Sequence, residues 1–465
     1  MDNNQGKVLL QHCNKKQFLL QNKNDVILDI LFRKENQSIL NSVGDFRART
    51  YTPLKTLHTY IQQVLSSDKS STNAVTGVNV GRLISEKSLV CPNSGSYTKA
   101  KKRLPEHTIY ELVKSVGCSS FKKTLSCWNV DGRDVKVFDG TTLTLQDTKA
   151  NNEQYPKHSN QSLAVGCPQI RLLAVVSLIT GSVVDYALEA TKGKGTGEVT
   201  LLRSILECIN EGDIAIGDAL FCNFFLTHDL MEKKVDVIFP GHIQRCYDFN
   251  EGAILGEKDH ITQWKKPRRP KWMSQEAYKE YPKEIQIREF KVNGIVYVTT
   301  FLDASIYPKK ELHKLYKRRW EVELHLRSIK SHMGMDRLSS ATPGMVRKEI
   351  GVHLLAYNII RELMVDGGIK GGALPTQISF KATLQLLNQF TPYFISSQKD
   401  KKEALYSQML ALIGKNKVGK RPGRVEPRAI RKKTQSFPTL KTDRKVEKER
   451  LLAQRNKWLV ENEAA

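Results

Sequence analysis

The spacing of apolar and polar positions changes twice along this chain. Up to about residue 130, apolar residues recur at helical spacing, as in Leu54–Leu65, which begins directly after Pro53. From Val135 to Pro240, apolar runs of strand length alternate with helical segments. Helical spacing returns beyond Pro308. The pattern therefore predicts N-terminal helices, a mixed α/β region and C-terminal helices.

The α/β region begins with three strands before strands and helices alternate. The second and third strands meet at Thr180-Gly181, which predicts a hairpin. The predicted order is strands at 135–138, 170–179 and 183–188, a helix at 198–210, a strand at 214–217, a helix at 224–234 and a strand at 235–240. Three leading strands followed by alternation favour a ribonuclease-H-like core, a mixed sheet flanked by helices, over a Rossmann repeat.

A second β-rich segment interrupts this core. Residues 285–292 and 295–301 have strand character and flank Asn293-Gly294, a strong signal for a two-residue hairpin. We therefore predict a β-rich insertion at 241–302. The predicted divisions are an N-terminal helical DNA-binding domain at 1–130, a catalytic core at 131–340 that contains the insertion, a C-terminal helical region at 341–414 and a basic tail at 415–465.

The C-terminal part is predicted as two helical segments followed by the tail. A helix at 346–364 precedes a glycine-rich break at Gly367, Gly368, Gly371 and Gly372, and a second helical segment covers 376–412. From Lys415 to Arg450, basic residues dominate among prolines and glycines, with few apolar groups. This composition predicts a tail that is disordered when free.

The charge balance narrows the class of partner. The 465 residues include 73 Lys and Arg against 48 Asp and Glu, a formal net charge of +25. Such an excess favours a polyanion, with the ribosome, anionic membranes and DNA all open on charge alone. No apolar run approaches about 18 residues and no signal peptide is evident, so we expect a cytoplasmic protein with no membrane partner.

Motifs for common cofactors are absent from the sequence. Eight cysteines occur without a Cys-x-x-Cys pair or Cys/His ligand spacing, which argues against a zinc site or a disulfide framework. The segment KGKGTGE has neither GxGxxG nor the P-loop pattern. We therefore predict no nucleotide cofactor.

A cationic helix is predicted at 96–104, within SGSYTKAKKRLP. It carries Lys99, Lys101, Lys102 and Arg103. Short helices with a cationic one among them are typical of helix-turn-helix DNA-binding domains. The alternative is a basic helical bundle that serves only as a scaffold.

A row of polar residues marks the helix predicted at 316–330. At about 100° per residue, Tyr316, Arg319, Glu323 and Lys330 share an arc of roughly 60°, beside a separate apolar stripe. The carboxylate is suited to a metal ion and the three donors to phosphates. The alternative is a basic surface helix with one incidental glutamate.

Three carboxylates form the candidate catalytic set. Asp139 and Asp218 end predicted strands, where functional residues of open α/β sheets lie, and Glu323 comes from the helix above. Oxygen ligands without His or Cys select Mg²⁺ or Mn²⁺, and two such ions about 3.5–4 Å apart support phosphoryl transfer. Asp147 and Asp185 are predicted to be turn or surface residues. The sequence thus predicts metal-dependent cutting or joining of nucleic acid.

The same residues carry a resemblance to a known family. The spacing Y-x2-R-x3-E-x6-K from Tyr316 to Lys330 resembles the signature of bacterial DDE transposases of the insertion-sequence-four family. Further similar stretches are SGSYTKAKKRLP, DGTTLTLQDT, YPKHSN, KGKGTGE, GDALFCN, HLLAYNIIRELM and VGKRPGRVEPRA.

The resemblance implies a metal-binding triad of Asp139, Asp218 and Glu323 with two Mg²⁺ or Mn²⁺ ions. It implies binding of terminal inverted repeats and target DNA by a homodimer, and cut-and-paste transposition by nicking, hairpin formation, resolution and strand transfer. The alternatives are an inactive or domesticated DNA-binding protein and a nuclease that cuts without joining.

The resemblance also implies DNA contacts outside the triad. Tyr316, Arg319 and Lys330 are expected to contact phosphates near the transposon end. An aromatic residue of the insertion is expected to stack on a flipped base, and Trp264 and Trp272 are the candidates. For either tryptophan, a role as a core anchor remains the alternative.

Overall fold

The computed structural model describes residues 25–43, 50–157, 166–336, 338–396, 399–419 and 442–463. The last three residues of YPKHSN and all but the first two of VGKRPGRVEPRA lie outside these ranges. Within the described residues, no helix has the length and apolar character needed to cross a membrane.

Short capped helices form the N-terminal part. Pro53 begins the third helix, and the Thr52 hydroxyl accepts from the Lys55 backbone N–H, so a cap and a first-turn proline fix its start. The helices predicted at 54–65 and 96–104 are confirmed. The elements are α1 (Val26–Leu31), α2 (Lys34–Asn41), α3 (Pro53–Leu65), α4 (Ser71–Ile84), α5 (Gly95–Arg103) and α6 (Glu106–Lys122).

One mixed sheet runs through the centre of the described residues. Its strands are β1 (Val135–Thr144), β2 (Gln169–Ser177), β3 (Val183–Ala190), β4 (Ile214–Ile216), β5 (Asp236–Pro240), β6 (Ala253–Gly256), β7 (Asp259–Lys265), β8 (Glu284–Val292) and β9 (Ile295–Thr299). The order is β3-β2-β1-β4-β5-β9-β8-β7-β6. The strands β1, β2 and β3 form an antiparallel meander, and β4 and β5 run parallel to β1. With helices flanking the sheet, this arrangement fits a ribonuclease-H-like core.

The insertion continues the core sheet. Its last strand, β9, pairs antiparallel with β5, with Ile238 opposite Thr299. The predicted hairpin between β8 and β9 is confirmed, and positive φ at both Asn293 and Gly294 suits its tight turn. The strands β6 and β7 were not predicted from the sequence. All of β6 is exposed, so it has no buried apolar face to give a strand-like pattern.

Helices cover the sheet and build the C-terminal part. They are α7 (Lys149–Gln154), α8 (Glu198–Ser204), α9 (Phe224–Glu232), α10 (Gln275–Glu280), α11 (Lys309–Lys317), α12 (Trp320–Arg327), α13 (Pro343–Gly371), α14 (Phe380–Ser396), α15 (Lys399–Lys415) and α16 (Arg444–Glu463). The helix α13 lies in the core and is buried over most of its length. Its side chains therefore contact both the N-terminal helices and the sheet.

The predicted glycine-rich break is wrong. The helix α13 continues through Gly367 and Gly371 and ends only at Gly372, whose φ of 61° suits a helix C-cap. A Cβ on Gly371 would lie 2.9 Å from the Cα of Gly414 in α15, and one on Gly367 would lie 2.6 Å from a methyl carbon of Ile413. The glycines therefore serve close helix packing rather than a chain break.

This close packing predicts a stability defect in Gly414→Ala. The new Cβ would lie 2.4 Å from the Gly367 carbonyl oxygen, a backbone atom that can move only with its helix. We expect a loss of about 1–3 kcal/mol, the usual cost of overpacking. The matched control is Gly344→Ala in α13, where a Cβ would have no neighbour within 4 Å. Equal denaturation midpoints for the two variants would contradict this account.

Part of the predicted tail is helical. The first residues of α16, up to Arg450, belong to the segment predicted to be disordered, and an Arg450–Glu447 ion pair of 2.5 Å links adjacent turns. Arg444 also lies 3.7 Å from Asp147 of the core. Basic composition suggested disorder, but the segment is rich in good helix formers that were given too little weight.

Candidate active site

Sheet register brings Asp139 and Asp218 together. The strands β1 and β4 are parallel, with Val137 opposite Ile216, so two residues further along Asp139 corresponds to Asp218. The prediction that the first strand ends at Asp139 is wrong, because β1 continues to Thr144 beside β2. However, β4 ends at Ile216, so Asp139 lies where the parallel pairing stops. The two carboxylates therefore share the end of this strand pair.

Local hydrogen bonds orient both aspartates. The carboxylate of Asp218 accepts from the Leu220 backbone N–H at 2.8 Å and caps the short turn that follows β4. The carboxylate of Asp139 accepts from the Gly140 backbone N–H at 3.1 Å. Each aspartate thus uses one oxygen for the backbone and is only partly buried.

The helix predicted at 316–330 is interrupted. Between α11 and α12 the backbone N–H groups of Arg318 and Arg319 bond three residues back, which tightens the turn. A π-helical segment, Ser328–His332, follows α12. The prediction of one straight helix is therefore wrong, but its apolar stripe is buried as expected, with Val322 and Ile329 at most 1% exposed.

The polar row nevertheless faces the aspartates. Arg319 contacts Glu323 at 3.3 Å and interacts electrostatically with Asp139. Lys330 donates to the Thr141 hydroxyl at 3.1 Å and to the Thr142 carbonyl at 3.2 Å, both on β1. The wider π-helical turn leaves Lys330 on this face of the helix. Arg319 and Lys330 therefore both lie beside β1.

Tyr316 lies between the insertion and the aspartates. Its ring packs edge-on against Tyr297 of β9, with centroids 5.1 Å apart. Burial raises the pKa of Tyr316 to about 12, and the negative charge of Asp218 contributes in the same direction. The phenol therefore stays protonated at neutral pH and can donate a hydrogen bond to an anion.

Asp139 lies in an environment that disfavours its negative charge. Burial raises the pKa of Asp139 to about 6, against the opposing effect of Arg319, and the negative charges of Glu198 and Asp218 raise it further. A carboxyl whose pKa is raised on folding costs stability when it ionises. That cost grows as pH rises from about 4 to about 6 and is complete above pH 6.

Asp139→Asn is therefore expected to stabilise the protein when no divalent ion is present. The amide removes the repulsion without removing volume, and after allowance for solvent screening we expect a gain of about 1 kcal/mol at pH 8. Thermal unfolding in EDTA measures this gain. We expect the difference in stability between variant and parent to be smaller at pH 4.5. A variant less stable than the parent at pH 8 would contradict the electrostatic account.

The donor set fits a hard cation, but the oxygens are not gathered around one point. Among the described residues, no three His, Cys, Asp or Glu side chains are placed to hold a metal ion together. Asp139 and Asp218 are neighbours, whereas the carboxylate of Glu323 contacts Arg319. Carboxylate oxygens without His or Cys are the chemistry that Mg²⁺ and Mn²⁺ prefer.

The two candidate tryptophans differ in exposure. Trp264 is 4% exposed, donates to Glu289 at 2.7 Å and has the Arg245 guanidinium 3.5 Å from its ring centre. Trp272 is 62% exposed and has Arg203 at 4.8 Å. A buried, bonded ring fits the anchor alternative, so Trp264 serves the insertion's core. Trp272 keeps the exposure that base stacking requires.

The four basic residues of α5 also differ. Lys99, Lys102 and Arg103 are exposed, but Lys101 is buried. Its ammonium lies 4.8 Å from the Tyr60 ring centre and 4.7 Å from that of Tyr97, and burial lowers its pKa to about 8. This position argues against a DNA contact by Lys101. Its contact with Tyr60 instead holds α5 against α3, while Tyr97 lies one turn earlier on α5 itself.

Asp147 and Asp185, which were predicted to lie outside the catalytic set, form ion pairs within the fold. The prediction that Asp185 is a turn or surface residue is wrong, since it is 2% exposed within β3 and lies 3.5 Å from Lys114. Asp147 lies 3.1 Å from Lys157. Both carboxylates have cationic partners of their own, which fits ordinary ion pairs.

Two groups of residues were not predicted from the sequence, one beside the site and one in the core of the fold. Glu198 was assigned only to the start of a helix, yet it interacts electrostatically with Asp139 and Asp218. The segment HLLAYNIIRELM supplies Asn358 and Arg361, which bond the hairpin between β2 and β3. The sequence signal for Asn358 and Arg361 was that they are polar residues within an otherwise apolar helix.

Comparison with known proteins identifies the family. The family model described as the transposase DDE domain matches residues 131–359. The transposase InsG for insertion sequence element IS4 of Escherichia coli (strain K12) is 24% identical over 339 residues, covering 69% of this chain and 74% of that protein. A cryo-EM structure of the piggyBac transposase synaptic complex with hairpin DNA matches 89% of this chain and 87% of that chain, at 10% identity and a TM-score of 0.41. The family-model match shows that residues 131–359 form a transposase DDE domain, and the similarity to InsG supports a DDE transposase of the insertion-sequence-four type.

Proposed function

We propose that this transposase binds the terminal inverted repeats of an insertion sequence and moves the element by metal-dependent cut-and-paste chemistry. The observation that carries the proposal is the register of β1 and β4, which sets Asp139 beside Asp218 under the row from Tyr316 to Lys330. A net charge of +25 supplies attraction for DNA. The steps are nicking, hairpin formation, hairpin resolution and strand transfer.

Asp139, Asp218 and Glu323 are the residues that would hold the divalent ions, two Mg²⁺ or Mn²⁺ ions per site. When bound, such ions activate an attacking oxygen and stabilise the leaving oxygen in phosphoryl transfer. Because Glu323 contacts Arg319, its carboxylate has to leave that partner to join the aspartates. A DNA phosphate that takes over Arg319 would free it, coupling DNA binding to completion of the site.

The remaining members of the row bind and orient the DNA. The protonated Tyr316 phenol and the Arg319 guanidinium are donors suited to phosphate oxygens. Lys330, which lies along β1, supplies a further cation close to Asp139. On the N-terminal helices, the exposed Lys99, Lys102 and Arg103 are suited to the phosphates of the inverted repeat, and a homodimer would pair the two ends.

A gel assay tests this function. The protein is incubated with a labelled duplex that carries the element's end and flanking DNA, with Mg²⁺ or with EDTA, and the products are separated under denaturing conditions. Mg²⁺-dependent nicking at the junction, then a hairpin band and joining to a target duplex, is the expected result. Tight binding without cleavage in Mg²⁺ or Mn²⁺ would favour a DNA-binding protein, and cleavage without joining would favour a nuclease.

Trp272→Ala is expected to impair hairpin formation more than nicking. Base–aromatic stacking contributes about 1–3 kcal/mol, so the hairpin rate should fall roughly 5- to 150-fold. The matched control is Trp458→Ala, an equally exposed tryptophan on α16. Rates of nicking and hairpin formation measured on the same gel check this. An equal loss of both steps would contradict stacking on a flipped base.

A further inference from the structure

The helix α5 has one buried face, which fixes its orientation in the N-terminal part. Tyr97, Ala100 and Lys101 are at most 7% exposed and lie on the same side of the helix. The Tyr97 hydroxyl donates to the Gln63 side chain of α3 at 2.8 Å, and the Lys101 ammonium donates to the Ser71 hydroxyl of α4 at 3.0 Å. The buried face therefore holds α5 against both preceding helices.

The opposite face of α5 is exposed and changes character along the helix. At about 100° per residue, its exposed residues share an arc of roughly 120°. They are Gly95, Ser96, Lys99, Lys102 and Arg103. The first turn thus presents small side chains and the last turn presents cations. In helix-turn-helix domains, the N-terminal residues of the exposed helix contact base edges, while cations bind the phosphates beside the groove.

A second group of cations lies near the first turn of α5. The ring of Tyr97, in that turn, packs against the ring of Tyr51 with centroids 5.4 Å apart, and the Lys55 ammonium lies 5.9 Å from the Tyr51 ring centre. Burial, with the like charges of Arg82 and Lys87, lowers the pKa of Lys55 to about 8. A phosphate bound beside these cations would offset their repulsion, so both ends of α5 have cations suited to DNA.

The last turn of α5 is also fixed to the scaffold of the core. Lys348 of α13 donates to the Lys102 carbonyl at 2.7 Å. Its neighbour Arg347 pairs at 3.0 Å with Glu106, the first residue of α6. This ion pair offsets the negative charge that would otherwise repel a phosphate near the end of α5. The exposed face of α5 is thus held in one orientation relative to the core, with cations at both of its ends.

We propose that α5 reads the sequence of the terminal inverted repeat, with Ser96 and Lys99 contacting base edges in the major groove. Lys102 and Arg103 at one end of the helix, and Lys55 at the other, bind phosphates on the two sides of that groove. Of the cations on α5, Lys99 fits base readout because it lies at the centre of the exposed arc, and a lysine can donate to O6 and N7 of guanine. The proposal rests on the proposed function, since it names the residues that give DNA binding its sequence preference.

Competition binding with mutated DNA ends tests the proposal without relying on cleavage. The full chain is bound in EDTA to the labelled terminal inverted repeat, and unlabelled duplexes that each carry one base-pair substitution compete in gel shifts. The variants are Ser96→Ala, Lys99→Ala and the matched control Lys102→Ala, which changes another exposed lysine of the same helix. Salt titrations of the same complexes count the phosphate contacts. Circular dichroism confirms that each variant is folded.

In the parent, we expect substitution of a base pair contacted by α5 to weaken binding roughly 5- to 150-fold. Lys99→Ala should reduce that penalty to about 2-fold or less at one or two adjacent base pairs, and Ser96→Ala should do so at a base pair beside them. Penalties at all other positions should stay as in the parent. Lys102→Ala should weaken binding to every duplex alike and reduce the salt slope by about one unit.

Two results would overturn the role of α5 and leave the proposed function standing. One is that Lys99→Ala weakens every duplex alike, as Lys102→Ala does, because Lys99 would then contact a phosphate only. The other is that both Ser96→Ala and Lys99→Ala keep the penalties of the parent at every position. A parent protein that binds the inverted repeat no better than an unrelated duplex would overturn the proposed function, and the readout by α5 with it.

Discussion

Glu323→Gln is expected to abolish DNA cleavage while leaving binding to the element's end nearly intact. The amide keeps the size of the side chain but removes the charge that a divalent ion requires. Loss of a metal-binding carboxylate from a phosphoryl-transfer site should reduce the cleavage rate by at least about 10³-fold. The ion pair between Glu323 and Arg319 is partly exposed, so its loss should cost little stability, about 0–1 kcal/mol.

The matched control for this prediction lies two residues away. Glu321 is on the same helix and pairs with Arg318 at 2.9 Å, away from the row. Glu321→Gln should cleave at close to the parent rate. Gel-shift titrations and single-turnover cleavage of the same labelled duplex separate binding from chemistry. Loss of binding in Glu323→Gln, or an equal loss of cleavage in Glu321→Gln, would mean that α12 has a structural role only.

Asn358→Ala should have the largest effect on folding. Asn358 is fully buried in α13, accepts from the Val183 backbone N–H at 2.8 Å, and donates to the carbonyls of Val183 at 2.7 Å and Val113 at 2.9 Å. One amide thus ties α13 to both α6 and β3. Truncation leaves these backbone groups buried without their partner, at a cost of about 1–3 kcal/mol for each group left unsatisfied.

The close approach of these elements increases the cost. A Cβ on Gly117 in α6 would lie 2.0 Å from the Val183 carbonyl oxygen, so the elements pack too closely to admit a replacement side chain or much rearrangement. We expect Asn358→Ala to lower the free energy of unfolding by about 3 kcal/mol and the Tm by roughly 3 °C.

Asn388→Ala is the control for this stability prediction. Asn388 makes one partly buried bond, to the Leu65 carbonyl at 3.2 Å, so its loss should cost about 0.5–1 kcal/mol. Urea denaturation of both variants checks the difference. If the two variants unfold at the same urea concentration, the amide of Asn358 does not hold the three elements together.

The sequence predicted the parts of the fold that have a strong local signal. Apolar runs located β1 to β5, and Asn293-Gly294 located the hairpin of β8 and β9 because few other sequences suit that turn. The exposed β6 has no such run, and its pairing depends on a neighbour that is distant in the sequence. Glycines 367 and 371 were misjudged because their role depends on the approach of α15, a tertiary contact.

The candidate site was predictable where residue type and spacing carried the chemistry. Asp139, Asp218 and the row from Tyr316 to Lys330 follow from strand and helix patterns. Their adjacency, however, rests on the register between β1 and β4, which no local pattern specifies. Glu198 was predicted only as the first residue of a helix. Lys101 could not be distinguished from its exposed neighbours by sequence, because its burial depends on packing against Tyr60 and Tyr97.

The central claim is that one divalent-cation site is built from the segments around Asp139, Asp218 and Glu323. The most direct test replaces Mg²⁺ with Fe²⁺ and adds ascorbate and peroxide, which cut the polypeptide close to the bound iron. We predict fragments ending near residues 139, 218 and 323 that disappear with excess Mg²⁺ and in Asp139→Asn. Cuts elsewhere in the chain, or the same cuts in Asp139→Asn, would contradict the account.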